Sequence, residues 1–502
     1  MATSDHPPPF FSLPSELVHH VLSFLSIRDL LSVGLVNRSL RTHSLQDTLY
    51  QSFVQENVSG RTLSKPPNST WRDLYISHHP FWFIAKHKVW FADNIHTGKL
   101  LIARYDHRID AIEAYALVAE RRQPSMLTWS WNPEAIIHTF SPHIQLDLNA
   151  PVVKLDANAY RNAVGDGESR LSKEIPMDLY GGVSRSTAAA LYSRLMLTRP
   201  WPQSITTSAT PVWPPSILPS DVRTRRDSPS QFRDKHHRPS SFADLSTKTF
   251  RVRKWMEFSS RAHAMEMRVG EDTTTWGTLP EECYTPTTLK PWQGIWCGDY
   301  AGHGCEFLAI LQPDDPKPLP ERAEYVMRTR ERERRGSVDS VDSWATAPEA
   351  DSGSDDDSLI AESAADLEDS VATLQPGHDR DSSEPEDVFS DPDCVAQEER
   401  IYRGRIEAIK LTGDPNIPRG EYTFIAPDIG NDGLIRIATE DIFKGARVVK
   451  SVGHIAGRGF HADDFMTSQL ILISHDRLAQ YWETYGHVSF YQRVNIDEFT
   501  KV

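Results

Sequence analysis

The feature that most constrains this chain is a dense series of leucines and valines between residues 13 and 53. Pro14, which precedes the series, suits the first turn of a helix, where its missing N–H costs no hydrogen bond. The next apolar residues recur at the three- and four-residue spacing of one helical face. They are Leu17, Val18, Val21, Leu22 and Leu25. The pattern therefore predicts an amphipathic helix that begins near Pro14.

Two further helices are predicted directly after the first. Ser26 and Asp29 have the spacing of a capping box, which opens the second helix, and a break at residues 36–39 separates it from the third. The apolar positions of these two helices are Leu30, Leu31, Leu35, Leu45, Leu49 and Phe53. Fully burying one such side chain contributes roughly 1.5–3 kcal/mol, and a unit of about forty residues cannot bury this many by itself. The three helices therefore need a second surface to cover them.

The order of residues in this unit, Leu-Pro-x-Glu-Leu-x-x-x-Val-Leu-Ser-Phe-Leu-Ser-x-x-Asp-Leu-Leu, closely resembles an F-box over residues 11 to about 55. We predict an F-box domain at residues 8–58. The resemblance implies docking on a Skp-type adaptor, which connects such proteins to the cullin scaffold of a ubiquitin ligase. The residues that match the family's adaptor-binding positions are Leu13, Pro14, Leu17, Leu22, Leu25, Leu30, Leu31 and Val36. The alternative is a helical hairpin that packs only on its own domain.

The net charge of −15 is concentrated in one segment. Residues 339–393 contain 18 Asp and Glu but a single basic residue, Arg380. The rest of the chain is close to neutral and lacks the basic excess that is typical of nucleic-acid binding. The sequence shows no secretory signal and no apolar run long enough to span a membrane, and four cysteines do not predict a disulfide scaffold. We therefore expect an intracellular protein, cytoplasmic or nuclear, without nucleic-acid or membrane partners.

From residue 70 onward the pattern changes to short strands. Aromatic and β-branched residues at 81–91 and 100–105 and alternating apolar residues at 144–148 predict strands separated by turns. Further strand patterns lie at 152–155, 249–253, 294–298 and 401–408. The Ala- and Leu-rich residues 186–198 predict a helix, and the role of residues 156–248 stays open. The fold class predicted is α+β: a three-helix F-box followed by a mostly antiparallel β-barrel-like domain, built from residues 70–312 and 399–502.

Residues 313–398 separate the two parts of this domain. An Arg-rich stretch is followed by an acidic Ser/Asp tract, and neither buries enough apolar area to offset an ordering entropy of roughly 1–2 kcal/mol per residue. We predict a long disordered acidic insertion. Ser337 follows two arginines and Ser354 precedes three aspartates, as in basophilic and acidophilic kinase sites. Phosphorylation would add roughly −1.5 to −2 charges at each, although charged loops also match such patterns by chance.

Three glycine-rich loops interrupt the later strands, at residues 296–307, 412–420 and 453–460. Glycine permits a positive φ or a close backbone approach at such reversals. Together with the F-box, the loops resemble the F-box-only protein 31 family, whose C-terminal β-barrel-like domain carries the same Gly-x-Tyr-x-x-His-Gly and Thr-Gly-Asp-Pro-Asn sequences. The resemblance covers residues 71–155 and 290–470.

This resemblance implies a receptor whose barrel binds a short, often C-terminal, segment of a client protein. Glycine-rich loops at a barrel mouth offer backbone N–H groups to such a polar segment. The residues expected near the pocket are Trp296 as an apolar wall, Tyr300, His303, Glu306 and Asp414. The alternative for each of them is that it only shapes or caps a turn.

The familiar catalytic and metal-binding motifs are absent from the sequence. It contains no P-loop, no Gly-x-Ser-x-Gly, no His-Glu-x-x-His and no Cys-x-x-Cys. We expect no metal, no cofactor and no catalytic residue. The predicted function is the non-catalytic substrate-recognition subunit of an SCF-type (Skp–cullin–F-box) ubiquitin ligase, which binds clients for ubiquitination and proteasomal degradation. Two alternatives stay open: a β-barrel that binds a ligand or a modified residue and uses its F-box outside a ligase, and an enzyme built around His303 and Glu306.

Overall fold

The computed structural model describes residues 13–65, 69–92, 98–163, 169–179, 189–200, 238–260, 265–300, 304–339 and 400–502. The N-terminal part is helical: α1 Ser15–Leu22, α2 Ile27–Val33, α3 Arg38–Ser44, α4 Asp47–Gln55, α5 Trp71–His78 and α6 Trp82–Lys86. The capping pattern predicted for α2 is confirmed, since the N–H of Asp29 donates to Ser26 Oγ at 3.2 Å. The predicted third helix is two helices, α3 and α4, because the chain leaves helical geometry at Leu45 and Gln46.

Eight antiparallel strands form an open sheet in the order β6–β3–β2–β1–β10–β9–β8–β7. They are β1 Val89–Ala92, β2 Leu100–Asp106, β3 Ala111–Glu120, β6 His143–Leu155, β7 Glu174–Pro176, β8 Ala189–Leu197, β9 Thr249–Ser260 and β10 Met265–Thr278. A short helix, α7 Ala157–Asn162, follows β6. The predicted strand pair at 88–105 is confirmed, with Val89 opposite Ile102.

Two local predictions were wrong. Residues 82–86 form α6 rather than a strand, because Phe81 to Ala85 are all buried and periodicity alone cannot separate a strand from a helix there. Residues 189–197 form β8 rather than a helix, because pairing along β9 overrides the helix propensity of Ala and Leu.

The C-terminal strands close into a barrel. They are β11 Gly294–Asp299, β12 Cys305–Leu311, β13 Ile406–Lys410, β14 Tyr422–Ala426, β16 Arg447–Gly457, β17 His461–Leu472, β18 Arg477–Trp482 and β19 His487–Arg493. Each pairs antiparallel with the next, and β19 pairs with β11, so these eight strands leave no free edge between first and last. Gly298 lies opposite Tyr491 at this closure, where an added Cβ would stand 2.7 Å from the Tyr491 ring. Three further strands attach outside the ring: β4 Met126–Leu127, β5 Ile136–His138 and β15 Leu434–Ile437.

The central strands β1, β2 and β3 of the open sheet are buried on both faces over most of their length. Trp90 and Leu101 share a core with Leu30 and Val54 of the F-box helices. Their neighbours along the same strands, Val89 and Leu100, point the other way and pack against barrel residues such as Phe490. A third core fills the barrel interior. Because successive strand residues point to opposite faces, one sheet joins the helices to the barrel.

The predicted insertion begins later than residue 313. A helix, α8 Glu321–Asp339, follows residue 320, and its Ala323 is fully buried in a cluster with Val452 and Phe465 of the barrel. The described residues up to 327 and residues 401–502 form one compact unit, and a second unit begins at residue 328 within α8. The predicted phosphosite Ser337 lies within α8, whereas Ser354 lies outside the described residues. The chain ends with α9 Ile496–Thr500. Among the described helices, none has the length and hydropathy that crossing a lipid bilayer requires.

Candidate functional site

The F-box helices have a buried and an exposed set of apolar side chains. Val18, Leu22 and Leu30 lie in the core that these helices share with the open sheet. A second set, here called the exposed F-box residues, faces solvent: Leu17, Val21, Phe24, Leu31, Leu35, Val36 and Leu45. Phe24 is 77% exposed and Leu35 is 87% exposed. Large apolar side chains clustered on the surface of so small a unit mark an interaction surface.

The predicted adaptor-binding residues divide between these two sets. Pro14, Leu17, Leu31 and Val36 are exposed, and Leu13 and Leu25 are partly buried against the core. Leu22 and Leu30 were wrong as docking residues: they are 2% and 0% exposed, because they hold the helices on the sheet. Docking was not predicted for Val21, Phe24 or Leu35, although Val21 and Leu35 were among the apolar positions of the predicted helices.

A pocket of about 310 Å³ opens at one end of the barrel. In this antiparallel ring, β11, β13, β16 and β18 end at the same side at which β12, β14, β17 and β19 begin. We call the cavity at this side the mouth pocket. Its lining residues are Tyr300, Lys410, Asp414, Asn416, Ile417, Thr423, His454, Ile455, Ala456, Trp482, Tyr485, His487 and Ser489.

A buried charge cluster lies at the base of the mouth pocket. The ammonium of Lys410 donates to Glu306 Oε2 at 2.8 Å and to Asp414 Oδ2, and it lies 4.5 Å from the centre of the Tyr300 ring. Lys410 is only 1% exposed, Glu306 3% and Asp414 8%. The single Lys410 ammonium thus pairs with two carboxylates, so the cluster has a net negative charge when all three groups are ionised.

The loop that carries Asp414 is fixed by its own backbone. Asp414 Oδ1 accepts the N–H groups of Asn416 and Ile417, both at 2.6 Å. Gly413 has φ +68°, and a Cβ there would lie 2.6 Å from the backbone nitrogen of Arg419, so only glycine fits. The Thr-Gly-Asp-Pro-Asn sequence therefore aims the Asp414 carboxylate at Lys410.

The two carboxyl groups respond to burial differently. Burial, reinforced by the nearby Asp414 carboxylate, raises the pKa of Glu306 to about 7 in spite of the Lys410 charge. Burial also acts to raise the pKa of Asp414, but the Lys410 ammonium and the two backbone N–H donors outweigh it and hold that pKa below its ordinary value. Near neutral pH the Glu306 carboxyl group is therefore partly protonated, whereas the Asp414 carboxylate stays ionised.

Neutral polar and aromatic groups form the rest of the mouth pocket. Burial lowers the pKa of His454, whose ring stacks on Phe465 at 4.5 Å. Its Nδ1 lies 2.9 Å from the Tyr422 carbonyl oxygen; since a carbonyl only accepts, Nδ1 carries the proton. Trp482 packs over Gly453, where a Cβ would meet its ring at 2.2 Å.

Several buried polar atoms at the mouth pocket lack a hydrogen bond of good geometry. They include the hydroxyls of Tyr300 and Thr423, which line the pocket, and Oε1 of Glu306 behind it. Buried polar groups are normally paired, and each exception calls for an explanation. These atoms offer donors and acceptors to a group that enters the pocket.

The structure brings together three of the five predicted pocket residues. Tyr300 and Asp414 line the mouth pocket. Glu306 does not line it, but accepts a hydrogen bond from Lys410, which does. Trp296 was wrong as a pocket wall: it is fully buried in the barrel core, where its indole N–H donates to the Trp292 carbonyl at 2.9 Å. His303 lies outside the described residues.

Lys410, the central residue of the charge cluster, was not predicted from the sequence. Lys410 is the last residue of β13, Ile-Glu-Ala-Ile-Lys, and a lysine at the end of a strand is expected to be exposed to solvent. The structure buries every position of β13 instead. The only available signal was the nearness of Lys410 to the Thr-Gly-Asp-Pro-Asn loop. Among the described residues, no cluster of three or more His, Cys, Asp or Glu side chains is arranged to hold a metal ion.

Comparison with known families gives two matches. Residues 10–56 match the F-box-like family, and residues 276–498 match the Cyclin D1 binding domain family. The second match contains the whole barrel and every residue that lines the mouth pocket. No curated protein matches the chain.

The N-terminal region is thus similar to F-box-like domains, in agreement with the prediction of an F-box there. The barrel region is similar to the Cyclin D1 binding domain family. Membership of the F-box-only protein 31 family stays a prediction, since neither match names that family.

The raised pKa of Glu306 leads to a pH prediction for Glu306→Gln. Because its folded pKa of about 7 exceeds the ordinary value of 4.5, the folded state binds more protons than the unfolded state between these pH values. The stability that Glu306 contributes is present below pH 4.5 and is lost as pH rises through 7. From pH 5 to pH 8, the free energy of unfolding should fall in the wild type by roughly 1–3 kcal/mol more than in the variant.

Urea denaturation at both pH values measures this difference. Glu440→Gln is the matched control: the pKa of Glu440 is lowered to about 2 by its hydrogen bonds with Arg436, so its titration lies below this window, and the variant should keep the wild-type dependence from pH 5 to pH 8. Parallel pH profiles for wild type and Glu306→Gln would show that Glu306 does not titrate as described.

Proposed function

We propose that this chain is the substrate-recognition subunit of an SCF-type ubiquitin ligase. The exposed F-box residues bind a Skp-type adaptor that connects to a cullin scaffold, and the mouth pocket binds a segment of the client. The observation that carries the proposal is the pairing of these two surfaces on one body, one in the F-box-like region and one in the Cyclin D1 binding domain region. SCF ligases act in the cytoplasm and nucleus, which is where we place the protein.

The adaptor proposal depends on the division of the F-box surface. Leu22 and Leu30 already attach the helices to the open sheet, so the exposed residues are not needed to hold the domain in place. Phe24, Leu31 and Leu35 are exposed to water in the free chain. If a partner buried one of these side chains fully, the burial would contribute roughly 1.5–3 kcal/mol to the free energy of binding. A predominantly apolar partner surface, such as an adaptor offers, recovers this free energy.

The client proposal depends on the polarity of the mouth pocket. At about 310 Å³ it accommodates a few side chains rather than a folded domain. Hydroxyls without a hydrogen bond of good geometry, a lysine with two carboxylates and an indole wall suit a short peptide segment that hydrogen-bonds through its backbone or its end. We propose cyclin D1 as a client, through a short C-terminal segment, because the matched family is named for binding it.

Catalysis in the barrel is the second candidate function, and the pKa of Glu306 favours it. A carboxyl group with a pKa of about 7 suits a general acid–base. However, Glu306 does not line the mouth pocket, and both carboxylates hold Lys410. We therefore propose a non-catalytic receptor, which acts by holding a client lysine near a ubiquitin-charged enzyme and so makes the transfer effectively intramolecular.

Adaptor binding is tested with Phe24→Asp and Leu35→Asp. Both side chains are exposed, so the variants should keep the wild-type melting temperature while the affinity for a purified Skp-type adaptor falls at least about tenfold, the equivalent of 1.4 kcal/mol. Leu148→Asp, at a residue of β6 that is 58% exposed, is the control and should bind normally. Titration calorimetry measures the affinities. Unchanged binding by both test variants would contradict the proposal, and adaptor binding without cullin recruitment would favour a role outside a ligase.

Client binding is tested with Tyr300→Phe and Thr423→Val. Each variant removes one hydroxyl that lacks a good hydrogen bond, so folding should be unaffected or slightly improved. If the client uses these hydroxyls, the affinity for cyclin D1 should fall roughly three- to tenfold for each variant. Thr62→Val, at an exposed residue between α4 and α5 that does not line the pocket, is the control. Fluorescence anisotropy with a labelled C-terminal cyclin D1 peptide provides the measurement, and equal affinity for all four proteins would exclude the mouth pocket as its site.

A further inference from the structure

A second cavity, which we call the F-box cleft, lies beside the F-box helices and has a volume of about 930 Å³. Side chains from α2, α4, α5 and α6 line it together with residues 169–171 and 242–247. It shares no lining residue with the mouth pocket. Besides Leu31, which belongs to the exposed F-box residues, two of its apolar residues are strongly exposed: Ile76 at 46% and Phe242 at 49%.

Two buried polar atoms at the F-box cleft have no hydrogen-bond partner. Tyr50 is only 2% exposed, yet its hydroxyl is unpaired, and so is Nε of Arg72. The Arg72 guanidinium carbon lies 5.9 Å from the centre of the Tyr50 ring, so both groups occupy one part of the cleft. An unpaired buried polar group costs about 1–3 kcal/mol, which an acceptor bound between the two would remove.

The charged side chains that line the F-box cleft are all cationic. Four cationic residues contribute, Arg28, Arg72, Lys86 and Arg170, and none of the described residues that line the cleft is an Asp or Glu. Arg170 already donates to the carbonyls of residues 77 and 79, and Lys86 pairs with Glu56. Among the described residues, Arg28 and Arg72 have no ion pair.

The two histidines of the cleft do not change this sign. Burial, together with the Arg170 charge, lowers the pKa of His79. Burial, together with Lys86 and Lys248, lowers the pKa of His87 in spite of the opposing Glu281. Both rings are therefore neutral near pH 7, and the cationic character of the cleft comes from the arginines and the lysine.

We propose that the F-box cleft binds an acidic, amphipathic peptide segment of a partner protein. A carboxylate of the segment accepts from the Tyr50 hydroxyl and the Arg72 guanidinium, as charge-assisted hydrogen bonds favour. Apolar side chains of the segment cover Ile76 and Phe242, which are not among the exposed F-box residues assigned to the adaptor. A free phosphate would satisfy the arginines but leave this apolar wall uncovered, so an acidic peptide fits the cleft better. The protein would then hold a client or a regulator at a second point, independent of the mouth pocket.

The test uses the full chain and short synthetic peptides in which Glu stands beside Leu and Phe at helical spacing, with matched peptides that carry Gln or Lys in place of Glu. Fluorescence anisotropy should show binding of the Glu peptides and at least about tenfold weaker binding of the Gln and Lys peptides. Tyr50→Phe and Arg72→Gln should each weaken the Glu peptide roughly three- to tenfold. Arg122→Gln, at an exposed arginine outside the cleft, is the matched control and should bind like the wild type.

Stability separates a binding defect from misfolding. Because the Tyr50 hydroxyl is unpaired in the free chain, Tyr50→Phe should melt at or above the wild-type temperature while it loses peptide affinity. Three results would overturn the proposal: no binding of any Glu peptide, equal affinity for Glu and Gln peptides, or wild-type affinity of Tyr50→Phe and Arg72→Gln. Stronger peptide binding after deletion of residues 340–399 would also overturn it, since the acidic segment of the chain itself would then be the occupant.

Discussion

The interaction on which the mouth pocket depends is the burial of the Lys410 ammonium between Glu306 and Asp414. Removing an ammonium from water costs several kcal/mol, and only close carboxylates with further hydrogen bonds offset that cost. Asp414 meets the condition because the 413–420 loop supplies two backbone donors to its other oxygen. Glu306 meets it only in part: its Oε1 has no hydrogen bond of good geometry, and burial raises its pKa to about 7. Two neighbouring strands and one loop are thereby joined beneath the pocket, with the Tyr300 ring above the charge.

The open sheet connects the two proposed binding surfaces, because it packs against the F-box helices on one face and against the barrel on the other. Its alternating side chains bury Trp90 with the F-box helices and Val89 with the barrel, so helices, sheet and barrel form one compact unit. A ligase receptor needs this property, because proximity accelerates transfer only when the client is held in a restricted position relative to the enzyme. The sheet lies mostly outside the two family matches, which makes it the part of the chain that sets the spacing between them.

Local sequence predicted the elements whose signal is local. The capping box at Ser26, the strand pair around residue 90 and the glycine-dependent loop before Asp414 all follow from side chains that act on their own backbone. The wrong predictions concern burial that only tertiary packing creates. Residues 82–86 and 189–197 took the element that their neighbours imposed, and Trp296 faced the barrel core instead of the pocket. Lys410 was not predicted for the same reason: a lysine in a strand is expected to be exposed, and only the folded structure brings Glu306 and Asp414 close enough to pair with it.

The most direct test of the account is whether one copy of the chain binds its adaptor and its client together. Purified chain, Skp-type adaptor with cullin, and cyclin D1 would be mixed and the mass of the complexes measured in solution. The account predicts a single species with one copy of each component, because the exposed F-box residues and the mouth pocket share no residue. Mutually exclusive binding of adaptor and cyclin D1, or failure of either to bind the intact chain, would contradict it.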